Sequence, residues 1–520
     1  MGKYIGIDLG TTFSVAAYID ENGNPQVIDN QEGENITASA VYFEDGRVIV
    51  GTDAKKESVM DSEHFIGFVK RDMGNKHIHY DIDGEQYKPE IISSFILKKI
   101  KNDVEKALND EVLGAVITVP AYFTDAQRTA TKQAAKLAGI EVLNIINEPT
   151  AAALAYGITK NNQEKKKILV YDLGGGTFDV SIMEYDGTLL KVLSSMGDAE
   201  LGGYDFDNCI VEWFMNEAKS DGIDINSDLD AKQDLLMKAE EAKKSLSIGR
   251  NKVRISIFAS GKKITKELSK EQFEEMIEPI LYSTTSMMLS AMEEANLDYE
   301  DLDKVLLVGG STRIPLVRQM ILEETEIEPS LDIHPDEAVA IGAAFYAVEC
   351  VKDKVNKQVE EEERVVEEKD IPQMETQYKF IDRTSHGIGV VIRNEVGEEV
   401  NSIVLPKNSV VPAKASQDYC TLSDYQEEIL LRVTQGESTE LKYTTIVGEA
   451  ELRLRPKPKG SPIRVVISCD DNSLIHVHVI DLQDNENLGE MRIARNANMS
   501  DEEVEEVQQQ IGKLNIGWED

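Results

Sequence analysis

From residue 1 to about 350, short β-rich runs alternate with long amphipathic stretches. Apolar runs at Tyr4–Asp8, Gly114–Val119, Lys167–Asp172 and Lys304–Val308 have the length and flanking turn residues of buried strands. Apolar positions recurring with a period near 3.6 predict helices over Pro89–Leu108, Asp125–Ala138 and Glu271–Ala295. Strands interleaved with helices predict an α/β architecture. From about Phe380 to Ala497 the period becomes two, as in Leu452-Arg453-Leu454-Arg455 and Ile475-His476-Val477-His478-Val479. Turn clusters at Pro406-Lys407-Asn408, Pro456-Lys457-Pro458 and Asp470-Asp471-Asn472 punctuate these runs, which predicts an antiparallel β-sandwich.

Between the two regions lies the charged stretch Lys352–Asp370, with the run Glu360 to Glu363, and then Pro372; it reads as a linker or a protruding helix end. Ser500-Asp501-Glu502-Glu503 is a helix cap with an acidic first turn, leaving room for a short helix before Trp518-Glu519-Asp520. The expected units are therefore 1–350, an acidic insertion and linker at 351–379, a sandwich at 380–498 and a short helical tail at 499–520.

Composition narrows the function classes. A chain of 520 residues exceeds what one core needs. Lys plus Arg number 55 against 95 for Asp plus Glu, a formal charge of −40, so nucleic acid and anionic membranes are not expected partners. Hydrophobic residues at 41% and charged residues at 29% suit a globular chain with sizeable cores. Cys209, Cys350, Cys420 and Cys469 form no Cys-x-x-Cys pair, which argues against a disulfide framework or a zinc site and for a reducing compartment. The strand pattern begins at Tyr4, no run of 18 apolar residues occurs, and Gly6 stands where myristoylation needs Ser or Thr; a cytoplasmic location is expected.

The chemistry concentrates in an internal echo. Ile5-Gly6-Ile7-Asp8-Leu9-Gly10-Thr11-Thr12 recurs in kind as Leu169-Val170-Tyr171-Asp172-Leu173-Gly174-Gly175-Gly176-Thr177. In each, an Asp closes a buried strand, glycines let backbone approach a phosphate, and Thr hydroxyls follow: the parts of a phosphate clamp with a magnesium-side carboxylate. Either motif alone is as readily an ordinary Asp-Gly turn. The pair, with Gly309-Gly310-Ser311-Thr312-Arg313 after a third strand, points to two half-sites facing each other. No Gly-x-x-x-x-Gly-Lys-Ser/Thr loop is present, which excludes a Walker-type ATPase.

These motifs, with Asn147-Glu148-Pro149-Thr150-Ala151-Ala152-Ala153, Asp172–Asp179, Val308–Pro315 and Pro335-Asp336-Glu337-Ala338-Val339, resemble the nucleotide-binding domain of the seventy-kilodalton heat-shock chaperones. The likeness continues through Pro406-Lys407-Asn408-Ser409, Val433-Thr434-Gln435-Gly436-Glu437 and Met499-Ser500-Asp501-Glu502-Glu503. The resemblance implies an actin-like, two-lobed α/β ATPase domain followed by an antiparallel β-sandwich that binds extended apolar segments of unfolded polypeptides, with slow ATP hydrolysis controlling affinity. ATP or ADP with Mg²⁺ is the implied cofactor. By this likeness Gly10, Thr11, Thr12, Gly174, Gly175 and Gly176 cradle phosphate, Asp8 and Asp172 hold magnesium through water, and Lys70 points at the γ-phosphate. Glu148, Thr177 and Asp179 would position the attacking water and metal, which is what a loose phosphoryl-transfer transition state asks for. Glu240, Lys243 and Ser247 share one helical face and match the family's adenosine clamp, with Gly309, Gly310, Ser311, Arg313 and Asp336. A solvated charged face is the plainer reading of the first three. Tyr419, Leu422, Ile429 and Leu431 would line the peptide groove, or else form sandwich core.

Departures from the family pattern bear on its partners. Asn144 stands where the family has an Arg tied to J-domain co-chaperones, and Arg71–Pro89 is short where a nucleotide exchange factor binds. Of the apolar linker, Tyr378-Lys379-Phe380-Ile381-Asp382 keeps part, and the residues after Ser500 suffice for only the start of a helical lid. His77-Ile78-His79 and His476-Val477-His478 lack a third ligand and read as solvent-facing strand histidines. Two other readings stay open: a nucleotide-binding regulator or scaffold without interdomain coupling, and a small-molecule kinase of the same actin-like fold.

Overall fold

The computed structural model describes residues 2–160, 165–187, 189–259, 261–330, 332–360, 379–470, 474–492, 498–512 and 516. Two mixed sheets organise the chain up to Ile381. In the first, the strands Val142–Asn147, Val112–Val119, Lys3–Asp8, Phe13–Ile19 and Pro25–Val27 lie side by side in that order. In the second, the order is Lys304–Val308, Lys166–Leu173, Phe178–Tyr185, Leu189–Asp198 and Lys379–Ile381. The echo in the sequence is thus an echo in topology. Lys3–Asp8 pairs antiparallel with the strand after it and parallel with a later one, and Lys166–Leu173 does the same.

The helices around the sheets begin and end where local chemistry dictates. Helix α1 spans Thr52–Glu57. Helix α2, Pro89–Leu108, starts with Pro at its first turn, where a missing N–H costs nothing, and stops at Asn109 in the left-handed region. Helix α3, Asp125–Leu137, is closed by a reciprocal Thr124–Gln127 capping box. Helix α4, Glu148–Lys160, follows directly on the Val142–Asn147 strand. In the second half come α5 (Gly203–Ser220), α6 (Leu229–Ser247), α7 (Lys270–Ala295, capped by Ser269 and Gln272), α8 (Pro315–Thr325) and α9 (Ala338–Glu360). Helix α9 runs through the start of the charged stretch. The rest of the acidic insertion, from residue 361 to Tyr378, lies outside the described residues, as do Trp518-Glu519-Asp520.

Beyond residue 388 two four-stranded antiparallel sheets share one hydrophobic core. One has the order Glu399–Leu405, Ile388–Arg393, Gln426–Gln435, Thr445–Lys457; the other Ala413–Cys420, Pro462–Cys469, Ile475–Asp481, Glu486–Arg492. Alternating inward residues such as Ile475, Val477 and Val479 fill that core, which is why the period-two pattern was so regular. Phe380 and Ile381, expected in the sandwich, instead add a parallel strand to the second sheet against Leu190 and Lys191. The apolar Phe380 ring packs on Tyr346 of α9, with centroids 5.0 Å apart, and this burial outweighs continuity with the strands downstream. His77 and His79 correct a second expectation, for they precede the Tyr80–Ile82 strand and lie in irregular backbone. His476 and His478 do lie on a strand, half-buried, near Asp470 and Glu490.

The β-rich part touches the rest of the chain at several polar points. Asn147 Nδ2 donates to Asp382 Oδ2 at 2.8 Å, Lys407 Nζ to Glu294 Oε1 at 2.9 Å, and the Ile475 N–H to Asp125 Oδ1 at 3.0 Å. Helix α10, Asp501–Ile511, is closed by a Ser500–Glu503 capping box and packs on α3, with Met499, Val504 and Ile511 joining the core of the first sheet. Burying apolar side chains of this size contributes roughly 1.5 to 3 kcal/mol each.

Candidate functional site

A cavity of about 410 Å³ opens between the two sheets' strand ends. The turn after Lys3–Asp8 and the turn after Lys166–Leu173 meet there. A methyl group added at Gly175 would lie 2.1 Å from Thr12 Oγ1, and one at Gly176 would lie 2.4 Å from Thr11 Cγ2, so these glycines are required by close approach. Gly309, with φ at 82°, passes 2.4 Å in the same sense from the Leu173 carbonyl and permits the third loop to join.

Of the residues singled out in the sequence, Asp8, Gly10, Thr11, Thr12, Lys70, Glu148, Asp172, Gly174, Gly175, Thr177, Glu240, Lys243, Ser247, Gly309, Gly310, Ser311, Arg313 and Asp336 all line this one cavity. Gly176 and Asp179 do not reach its wall. Gly176 packs behind, and buried Asp179 accepts the Tyr122 backbone N–H at 3.1 Å.

Charge is crowded at the cavity floor. Lys70 Nζ meets Glu148 Oε1 at 2.5 Å, and both side chains are buried. Burial, then repulsion from Glu148, push the Asp8 carboxyl up to about 7, although Lys70 and a 2.8 Å hydrogen bond from Thr118 Oγ1 oppose this. Burial and the charges of Glu148, Asp179 and Asp8 raise Asp172 well above the usual carboxylate range, and burial with Glu148 does the same to Asp179. Four carboxylates facing one lysine form a cluster short of positive charge. A divalent cation would supply it. Asp8 and Asp172, both on the cavity wall, are hard oxygen donors of the kind that would suit a Mg²⁺ ion with its water shell.

The opposite wall has a different character. Lys243 Nζ donates to the Gly203 carbonyl and to Asp207 Oδ2, each at 2.7 Å, and burial pushes Asp207 up to about 6 despite that partner. Burial would raise Glu240, but Lys55 and Lys244 outweigh it and hold the carboxyl at about 2. Arg313 Nη2 donates to Asp336 Oδ2 at 2.6 Å, and Ser311 Oγ to the Gly174 carbonyl at 2.8 Å. Sequence reasoning missed Lys55, Thr118, Asp207, Arg71 and Asp205. Thr118 and Asp207 sit in motif-like strings, Ile117-Thr118-Val119 and Gly203-Tyr204-Asp205-Phe206-Asp207, but only their partners' positions reveal a role.

The four residues assigned to a peptide groove are divided. Leu431 is buried in the sandwich core, with Tyr419 and Ile429 half-buried against it, while Leu422 is exposed. Leu431 is a core residue here because inward positions of the Gln426–Gln435 strand face the partner sheet. Tyr419 Oη and Ser402 Oγ lie 2.9 Å apart. Asn144 Nδ2 donates to Tyr346 Oη at 2.8 Å.

Fold and cavity together define an α/β protein whose two mixed sheets close on one cavity and which carries a β-rich appendage. The Hsp70 protein family model matches residues 4–82 and 74–516. The chain is 39% identical over 491 residues to the chaperone protein DnaK of Thermotoga maritima, covering 92% of this chain and 78% of that protein. It is 40% identical over 490 residues to the chaperone protein DnaK of Thermosipho africanus, again over 92% and 78% of the two chains. The chain belongs to the Hsp70 family, the ATP-dependent molecular chaperones.

Proposed function

We propose that this chaperone binds ATP and ADP with hydrated Mg²⁺ in the 410 Å³ cavity of an actin-like, two-lobed domain, and holds extended apolar polypeptide segments on its β-sandwich. The observation that carries this reading is the convergence of both Asp-Gly-Thr turns, the Gly309–Arg313 loop and the Lys70–Glu148 pair on one cavity. Bound Mg²⁺ would neutralise charge developing on the transferred phosphoryl group. Asp8 and Asp172 would hold its water shell. Lys70, released in part from Glu148, would meet the γ-phosphate; Glu148 and Thr177 would orient the attacking water, with Asp179 supporting them from behind. Glu148, the carboxylate that would orient the attacking water, is held by Lys70 rather than free to act as a base, so hydrolysis is expected to be slow and to serve as a timer.

On the sandwich, Tyr419, Leu422, Ile429 and Leu431 would form the peptide groove; the exposure of Leu422 and the partial exposure of Tyr419 and Ile429 support this reading. The test is stopped-flow release of a fluorescent unstructured peptide. Release is expected to accelerate when MgATP is added. Peptide release that ignores ATP would favour a nucleotide-binding regulator instead.

A further inference from the structure

Two loops that would face a bound phosphate chain from opposite sides are tied to each other directly. The short 3-10 turn Val69–Asp72 follows Phe68, whose φ of 58° is an unfavourable conformation for an aromatic residue and persists only where its surroundings hold it. From this turn Lys70 reaches Glu148, while Arg71 points the other way, across the cleft. Arg71 Nε donates to the Gly176 carbonyl at 2.9 Å, Nη2 to Asp205 Oδ2 at 2.5 Å and Nη1 to Asp205 Oδ1 at 3.3 Å. Its guanidinium lies 5.2 Å from the centre of the Tyr204 ring, and Tyr204 in turn packs on Phe68 with centroids 4.2 Å apart.

The receiving side is itself one unit. The Gly203 N–H donates to the Gly174 carbonyl at 3.0 Å and the Tyr204 N–H to the Gly175 carbonyl at 2.7 Å, while Asp205 Oδ2 accepts the Gly202 N–H at 2.7 Å. The glycine turn and the start of α5 therefore move together. Arg71 and Asp205 are only 14% and 26% exposed, so this fork is shielded from the screening that weakens surface pairs. A lysine ammonium lacks the planar fork that pairs both Asp205 oxygens while Nε reaches the Gly176 carbonyl.

We propose that Phe68, Arg71, Tyr204 and Asp205 form a clasp across the cleft that holds the Lys70 turn against the Gly174–Gly176 turn, and that opening this clasp limits escape of bound nucleotide. The inference rests on the reading of the cavity as an ATP site. A nucleotide gripped by both turns leaves only when they part, and parting must break the fork and separate the rings. Phe68 and Tyr204 are positioning residues: neither lines the cavity, and they act by keeping two loops in register.

The test is dissociation of methylanthraniloyl-ADP from the full chain in Mg²⁺, chased with unlabelled ATP in a stopped-flow instrument. Phe68→Ala and Tyr204→Ala are each expected to release the probe about three- to tenfold faster, the range lost with one aromatic pair. The double variant is expected to be no faster than either single one, because both remove the same contact. Arg71→Lys is expected to release about tenfold faster. Tyr204→Phe, which keeps the ring and the fold, is expected within about twofold of the wild type. Wild-type release from the alanine variants, or effects that multiply in the double variant, would overturn the clasp. Failure of the wild type to bind the probe is a separate result, and it would overturn the nucleotide reading together with the clasp's role.

Discussion

The Asp382 carboxylate takes one hydrogen bond from the Asn147 side chain and one from the Arg383 backbone N–H, each at 2.8 Å. Asn147 immediately precedes Glu148, the partner of Lys70, and its own Oδ1 accepts Arg128 Nη2 at 2.7 Å. Two residues 235 apart in sequence thereby place the start of the β-rich region one residue from the cavity floor.

Asp382→Asn leaves an amide N–H₂ facing one of those two donors. An unsatisfied buried donor costs about 1–3 kcal/mol, borne only when the regions are docked. Acceleration of peptide release by ATP is expected to fall about tenfold while the nucleotide-free release rate is unchanged. Equal acceleration in variant and wild type would sever this contact from the coupling.

Lys70→Ala removes the lysine from the carboxylate cluster of Asp8, Glu148 and Asp172 at the cavity floor and Asp179 behind it, and with it one charge-assisted contact to the reacting phosphate. Single-turnover ATP hydrolysis is expected to slow about 100-fold or more. Nucleotide binding is expected to persist, because Glu240, Lys243, Ser247 and Arg313 line a different wall. Hydrolysis at the wild-type rate would remove Lys70 from the mechanism.

Docking is expected to depend on pH through His386. Burial lowers its tendency to protonate, as do Lys407 and Arg128, while the Tyr122 carbonyl, 3.0 Å from Nε2, and Glu437 favour the cation. The docked state therefore binds a proton less readily than the undocked one. Docking is at full strength above the ordinary histidine value near 6.5 and weakens as pH falls below it toward the depressed docked value. Asp125, pushed by burial up to about 6 at the Ile475 contact, acts in the opposite sense, since docking favours its neutral form and that cost eases as pH falls through about 6. Comparing wild type with His386→Gln isolates the imidazole. Energy transfer between labels on the two regions, followed from about pH 8 to about pH 5, is expected to drop more steeply in the wild type. Parallel curves would exclude His386.

Gly342→Ala probes how α9 meets α4. A methyl group there would sit 1.8 Å from the Ala151 carbonyl oxygen, which belongs to backbone and cannot swing away. The gain in helix propensity is about 1 kcal/mol, and overpacking costs about 1–3 kcal/mol or more, so destabilisation wins. A lowered thermal midpoint is expected in scanning calorimetry, and an unchanged or raised midpoint would show that the two helices separate without penalty.

Much of this protein was legible in its residues. Pro89, Thr124, Ser269 and Ser500 start helices because their capping and φ preferences are local, and the 3.6 and two-residue periods follow from which faces are buried. Asp8, Thr11, Asp172 and Thr177 could be singled out because a phosphate-binding turn needs its glycines and hydroxyls within a few consecutive positions. Tertiary structure decided the rest. Arg71 finds Gly176 and Asp205 at separations of 105 and 134 residues, and nothing in its neighbourhood distinguishes it from a solvated arginine. Leu431 and Leu422 are both leucines of a β-rich segment, yet one fills the core and the other stays exposed, because that choice depends on where the second sheet lies. Phe380-Ile381 joins the second sheet for the same reason: a strand's hydrogen bonds are satisfied by whichever edge is near, and proximity is a property of the folded chain.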